Sequence, residues 1–318
     1  MSQKPRIVFM GTPEFAVATL KKLVENDYPV VGVVTAVDKP AGRGKKLRES
    51  AVKKYAQSVG IPVLQPTNLK SESFNNELQA LQPDLQIVVA FRMLPEIVWR
   101  LPKLGTFNLH ASLLPDYRGA APINWAIING EKETGVTTFF IDDKIDTGAI
   151  ILQEKVPVEP EDNASTLHDK LMAKGSDLVL KTVDLIEKGN LKTQPQPKTD
   201  LVKKAPKLNK DNTRIDWSKS AESIHNLIRG LAFYPGAWSQ ICMQDKEPQK
   251  IIIYKSDFVH DKHQHPTGKV FADKKMMKIA VPDGYIYPQI VKLQGKKQMD
   301  IQSFLNGIRD KNKLQMQV

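Results

Sequence analysis

Short apolar runs alternate with stretches whose apolar residues recur every three to four positions, and this alternation continues to about residue 190. Ile7-Val8-Phe9-Met10 is apolar throughout, as expected of a strand buried on both faces. Gly11-Thr12-Pro13 reads as a turn, with Thr12 placed to cap a helix and Pro13 to open it. Phe15, Ala16, Leu20 and Leu23 then share one helical face. Further strands are predicted at 30–35, 61–64, 85–90 and 106–109, and further helices at 51–59, 70–81, 94–99, 122–129 and 165–188. Residues 36–50 read as a basic, Gly-containing loop, and 136–141 with 150–157 as a hairpin around the segment 142–148.

Apolar strands alternating with helices predict an open, Rossmann-like, mostly parallel sheet with helices on both faces. Neither GxGxxG nor GxxxxGK occurs after a strand, which argues against dinucleotide and P-loop chemistry. After residue 190 the pattern changes. Residues 190–212 are polar, basic and Pro-containing, as in an interdomain linker. One helix is predicted at 219–231. Five short strands follow at 237–243, 250–255, 268–272, 276–281 and 289–293, which suits a small OB-like β-barrel domain or another small β-fold.

The 318 residues are 41% hydrophobic and 25% charged, enough for two domains with real cores. No apolar run reaches the roughly 20 residues of a membrane span, and the N-terminus has no signal-peptide pattern, so a cytoplasmic location is expected. The single cysteine, Cys242, allows no internal disulfide. The net charge of +11 matters more because it is clustered. Residues 38–54 carry seven Lys and Arg against two acids, and residues 188–214 carry eight against two. Such clustering favours a phosphate-backbone partner.

The candidate chemistry lies in Asn108-Leu109-His110-Ala111-Ser112-Leu113-Leu114-Pro115 and in the later Asp146-Thr147-Gly148. Asn108 and His110 are two residues apart, so on a strand they share a face, near the C-terminal end where ligands of such sheets sit. An amide can donate to a developing oxyanion, an imidazole can carry a proton, and a carboxylate can orient the imidazole. His260, His263 and His265 form a small cluster, but no cysteine or spaced carboxylate completes a metal site, so they read as a solvated loop and no metal is expected.

The segments NLHASLLPDYRGAAPINWAI and ETGVTTFFIDDKIDTGAII resemble the folate-dependent formyltransferase superfamily. MGTPEFAVATL, DKPAGRGKKL, RIDWSKSAESIHNLIRG and FYPGAWS resemble the branch of it that acts on aminoacylated tRNA. The resemblance implies transfer of the formyl group of 10-formyltetrahydrofolate to the amino group of initiator Met-tRNA. It places the catalytic triad on Asn108, His110 and Asp146, and folate contacts on Ser112, Leu113, Leu114 and Pro115. It places a tRNA-reading loop on residues 38–48 with Arg43 central, so Arg43, Lys45 and Lys46 are expected to contact the acceptor stem; Lys203, Lys204 and Lys207, in and beside the basic linker, read as general phosphate attraction. It implies a catalytic domain over 1–189, a basic linker over 190–206, an OB-like tRNA-binding domain over 207–318, and a monomer. The proton roles of His110 and Asp146 stay undivided, and Asp142 and Asp143 read as solvated carboxylates. One departure is the Ala90–Pro95 stretch, one residue shorter than in many relatives and without their Gly. Arg92 is expected to replace a backbone contact there. A small-amine formyltransferase, a folate hydrolase and a non-catalytic RNA-binding protein are the alternatives. The first two would not need the basic loop, and the third would lack a triad member.

Overall fold

In the computed structural model of the chain, residues 4–41, 46–197, 201–243 and 247–318 are described. The chain forms β1 (Ile7–Gly11), α1 (Glu14–Glu25), β2 (Val30–Val34), β3 (Lys39–Ala41), β4 (Lys46–Arg48), α2 (Ala51–Ser58), β5 (Val63–Leu64), α3 (Glu72–Ala80), β6 (Leu85–Val89), α4 (Glu96–Trp99), β7 (Thr106–His110), β8 (Arg118–Gly119), α5 (Pro122–Ile128), β9 (Glu133–Phe140), β10 (Ile150–Pro157) and α6 (Ala164–Glu187). These cluster into compact units that do not follow chain order. The first comprises residues 1–119, 133–157 and 168–204, and the second 120–132, 158–167 and 205–318.

The first unit holds a seven-stranded sheet in the order β10-β9-β7-β6-β1-β2-β5. The pairs from β5 to β7 are parallel, and β9 and β10 turn the edge antiparallel. Every residue of β1 and β6 is buried, which explains why both are apolar but for Gln86 in β6, whose Oε1 accepts from Thr106 Oγ1 at 3.0 Å. Val8, Met10, Val34 and Val88 pack on one face against Phe74, Leu78, Leu94 and Val98. Ile7 and Phe9 point the other way, by the alternation of a strand.

Several predicted details are corrected. Thr12 does not cap α1; Pro13 holds the N-cap position, with no side-chain hydrogen bond there. Segment 36–50 is no simple loop, because β3 and β4 pair antiparallel from Lys39↔Arg48 to Ala41↔Lys46. Its charge is also partly offset: Lys53 Nζ donates to Asp38 at 2.5 Å and approaches Glu49 at 3.0 Å. Ser50 caps α2 through Lys53 N. Asn163 caps α6, accepting from the amides of Ser165 and Thr166 at 2.8 and 3.1 Å.

The second unit adds α7 (Ala221–Gly230) to strands that follow the two-residue β11 (Lys204–Ala205). These strands are β12 (Ala237–Met243), β13 (Gln249–His260), β14 (Val270–Ala272), β15 (Met277–Val281), β16 (Gly284–Leu293), β17 (Met299–Asp300) and β18 (Leu314–Met316). The antiparallel order is β14-β15-β16-β13-β12-β18. Met316 N then donates to Gly268 O at 3.0 Å, joining β18 to the approach of β14 and nearly closing a barrel. Barrel strands β13 and β16 extend well beyond the predicted 250–255 and 289–293, because polar residues on their outer faces break the apolar signal without breaking the ladder. Trp217 fills the core and donates its indole N–H to Ser239 Oγ at 2.9 Å.

The His260–His265 segment is exposed, as expected of a solvated loop, apart from the half-buried His263. His263 donates from Nε2 to Gly284 O, and its ring lies 4.5 Å from that of Tyr285. Among the described residues no group of three His, Cys, Asp or Glu is arranged to hold a metal, and no helix is long and apolar enough to cross a membrane.

Candidate active site

β7 carries Asn108 and His110 at its C-terminal end, in register with Val88 on one side and with Phe139 and Thr137 on the other. His110 is buried and Asn108 half-buried. Among the described residues the Asn108 side chain makes no hydrogen bond, so its amide is left for an incoming group. His110 Nε2 lies 2.8 Å from Tyr117 O. A carbonyl only accepts, so Nε2 carries the proton and Nδ1 of the neutral ring presents a lone pair. The edge of the ring meets Phe139 at 6.5 Å between centroids.

Asp146 arrives from the opposite direction. Ile141 N donates to Thr106 O, so the 141–149 segment sets out beside the N-terminal end of β7. Four strand residues, about 13 Å, separate that point from His110. The segment folds back over this distance and places Asp146 Oδ2 3.9 Å from His110 Nδ1. Gly119 N donates to the same oxygen at 2.9 Å. Asp146 adopts φ +55°, in the left-handed region where Asp is better tolerated than most residues. Gly148 lets the return pass closely: a Cβ there would lie 1.7 Å from Phe140 O. Asp142, expected to be a solvated carboxylate, instead accepts from Thr147 Oγ1 at 2.8 Å and Lys144 N at 3.1 Å. It shapes the turn.

The Ser112–Pro115 segment is fixed by partners invisible in its own sequence. Ser112 is fully buried, and its hydroxyl donates to Asp116 O at 2.6 Å. Thr137 Oγ1 donates to Ser112 O at 2.6 Å and accepts from Leu114 N at 3.2 Å. Gln153 Nε2 donates to Leu114 O at 2.9 Å and to Thr137 Oγ1 at 3.0 Å. Leu113 packs against Gly135, where a Cβ would meet Leu113 Cδ2 at 2.5 Å. Sequence does not single out Thr137 and Gln153, because Thr134, Thr138, Glu154 and Lys155 are polar on the same two strands.

In the Ala90–Pro95 loop, Arg92 is committed to structure. Nη1 donates to Thr67 O at 3.0 Å, Nη2 donates to Pro66 O, and the guanidinium lies 5.7 Å from the Phe91 ring centre. Met93 beside it is 67% exposed, and Ile145 beside Asp146 is 58% exposed. Large apolar side chains left in water on two loops of one sheet are consistent with a ligand that has an apolar face.

The predicted tRNA residues are less convergent. Arg43 and Lys45 lie outside the described residues, and Lys46 opens β4. Lys203 is exposed and holds Nζ 5.9 Å from the Tyr117 ring centre, with its amide donating to Asp116 Oδ1 at 3.0 Å. Lys204 and Lys207 are exposed.

Family matches cover most of the chain. Formyl transferase matches residues 5–183, and Formyl transferase, C-terminal domain, matches residues 207–309. The chain is 57% identical to methionyl-tRNA formyltransferase of Flavobacterium johnsoniae, over 96% of this chain and 97% of that protein. It is 52% identical to the protein of the same name from Parabacteroides distasonis, over 96% of each. An N-formyltransferase from Helicobacter canadensis, solved with folinic acid and dTDP-3-aminofucose, has the same fold, with a TM-score of 0.67 at 23% identity over 90% of this chain and 99% of that one. The chain belongs to the formyl transferase family.

Proposed function

We propose that the chain transfers the formyl group of 10-formyltetrahydrofolate to the methionine amino group of initiator Met-tRNA. The observation that carries this is the 57% identity with a methionyl-tRNA formyltransferase along 96% of the chain. The site chemistry agrees with it.

The amine lone pair attacks the formyl carbon, a C–N bond forms, and the carbonyl oxygen takes up negative charge. Asn108, whose amide is unengaged among the described residues, donates to that oxygen. His110 Nδ1 and Asp146 Oδ2 are both acceptors, 3.9 Å apart, and face one another. An attacking amine can donate one N–H to each, which orients its lone pair and gives its proton an outlet. The bond to the folate nitrogen then breaks, and that nitrogen takes a proton. The chemistry requires no covalent acyl-enzyme. Leu113, Leu114 and Pro115 contact the folate, with Ser112 contributing through the backbone because its hydroxyl is engaged. Arg43, Lys45, Lys46, Lys203, Lys204 and Lys207 attract tRNA phosphates.

The test is formyl transfer from 10-formyltetrahydrofolate to initiator and elongator Met-tRNA, compared with small amines and with water. Preferential formylation of initiator Met-tRNA supports the proposal. Consumption of the folate only with small amines or water overturns the substrate.

A further inference from the structure

Gln196 lies in the stretch read from sequence as a linker, yet its side chain is tied to the turn that carries Asp146. Its Nε2 donates to Asp146 O at 3.0 Å and to Gly148 O at 2.8 Å. Its Oε1 accepts from Arg118 Nε at 3.2 Å and Nη2 at 2.5 Å. Arg118 precedes Gly119, whose N–H holds the Asp146 carboxylate. The contacts close a ring from carboxylate to Gly119, through Arg118 and Gln196, and back to the Asp146 carbonyl. Two bonds secure the segment itself: Ile150 N donates to Gln194 O, and Gln194 N to Ile150 O, both at 2.8 Å.

We propose that Gln196 is a positioning residue that holds the left-handed turn at Asp146 so that Oδ2 faces His110. The proposal rests on the reading of Asp146 as an acting group. The chemistry of the site selects glutamine. Two carbonyl oxygens need two donors from one point, and the guanidinium needs an acceptor a short distance away. Glutamate would satisfy Arg118 but set an oxygen against two carbonyls. Methionine has the length and neither function.

The test compares full-length Gln196→Met, Gln196→Glu and Asp146→Asn in formylation of Met-tRNA by 10-formyltetrahydrofolate, with Met-tRNA binding and thermal midpoint measured alongside. Gln196→Met is expected to lower kcat about 10- to 100-fold, the range for a displaced reacting group, with KM for both substrates within about 2-fold. Gln196→Glu, which keeps the Arg118 contact, is expected to show the same kcat-only loss and covers the case in which the methionine variant folds poorly. Combined with Asp146→Asn, Gln196→Met is expected to cost less than about 2-fold more, because the two act through one carboxylate. Wild-type kcat in both Gln196 variants, with Asp146→Asn inactive, overturns the proposal alone. A Gln196→Met loss that is undiminished in the Asp146→Asn background also overturns it. Wild-type kcat in Asp146→Asn instead overturns the reading of Asp146 on which the proposal rests.

Discussion

His110 Nδ1 and Asp146 Oδ2 stand 3.9 Å apart, and each is held from behind: the ring by Tyr117 O, the carboxylate by Gly119 N. Between them the pair leaves a gap of 3.9 Å. Replacing His110 by Ala removes one wall of that gap. The expected result is a fall in kcat of about 10²- to 10⁴-fold, typical of a lost proton carrier, with Met-tRNA binding unchanged. Single-turnover formylation beside a tRNA-binding assay checks it.

Asn108 differs in having a side chain that is unengaged among the described residues. Asn108→Ala should cost about 10²- to 10³-fold in kcat, since the oxyanion loses a donor, and little in thermal stability, since no protein partner is orphaned. A large fall in the melting midpoint would count against this account.

Gly148 permits the close return of the 141–149 segment beside Phe140 O. Gly148→Ala should destabilise the chain by about 1–3 kcal/mol, because the backbone itself must move. It should also lower kcat, since Asp146 is two residues away. Denaturant unfolding and steady-state kinetics together separate the effects.

The sheet was legible because buried parallel strands write themselves as apolar runs, as β1 does throughout and β6 does but for Gln86. Asn108 and His110 were legible because a spacing of two on a strand fixes a common face. The partners that hold the site were not. Tyr117 and Gly119 contribute backbone atoms, which carry no residue signature. Thr137 and Gln153 act across a strand register that only the folded sheet sets. Gln196 sits among prolines and lysines, where composition signals a spacer.

Acid should weaken the second unit through His225. Burial is the main cause holding this imidazole below its ordinary range. The nearby Arg229 charge adds to the effect, against smaller opposing contributions from Asp257, Glu161 and the Ser256 contact. The unfolded chain therefore binds the proton first as pH falls below about 6.5, and stability drops until the folded form is protonated too. Thermal midpoints between pH 7.5 and 5 should decline in the wild type and decline less in His225→Gln. Parallel curves would refute the assignment.

Lys204 and Lys207 are exposed. If they act as phosphate contacts, Lys204→Ala and Lys207→Ala should each weaken Met-tRNA binding irrespective of sequence. Each should lower the slope of log affinity against log salt by about 1. A salt titration of binding, with kcat at saturating tRNA as control, is the measurement. An unchanged slope removes that lysine from the interface.

The second compact unit draws on three stretches of chain, and this limits how such genes can be shuffled. α5 is encoded in the first half, yet Asn124 donates to Gly230 O, and Trp125 to Pro206 O, both at 2.8 Å. A Cβ on Gly230 would lie 2.7 Å from Ile128 Cγ1. A crossover near residue 190 thus pairs an α5 from one parent with an α7 from the other, across a contact with no room for a mismatched side chain. Viable chimeras will inherit residues 120–132, 158–167 and 205–318 from a single parent. Across lineages, Asn124, Ile128 and Gly230 should change together or not at all.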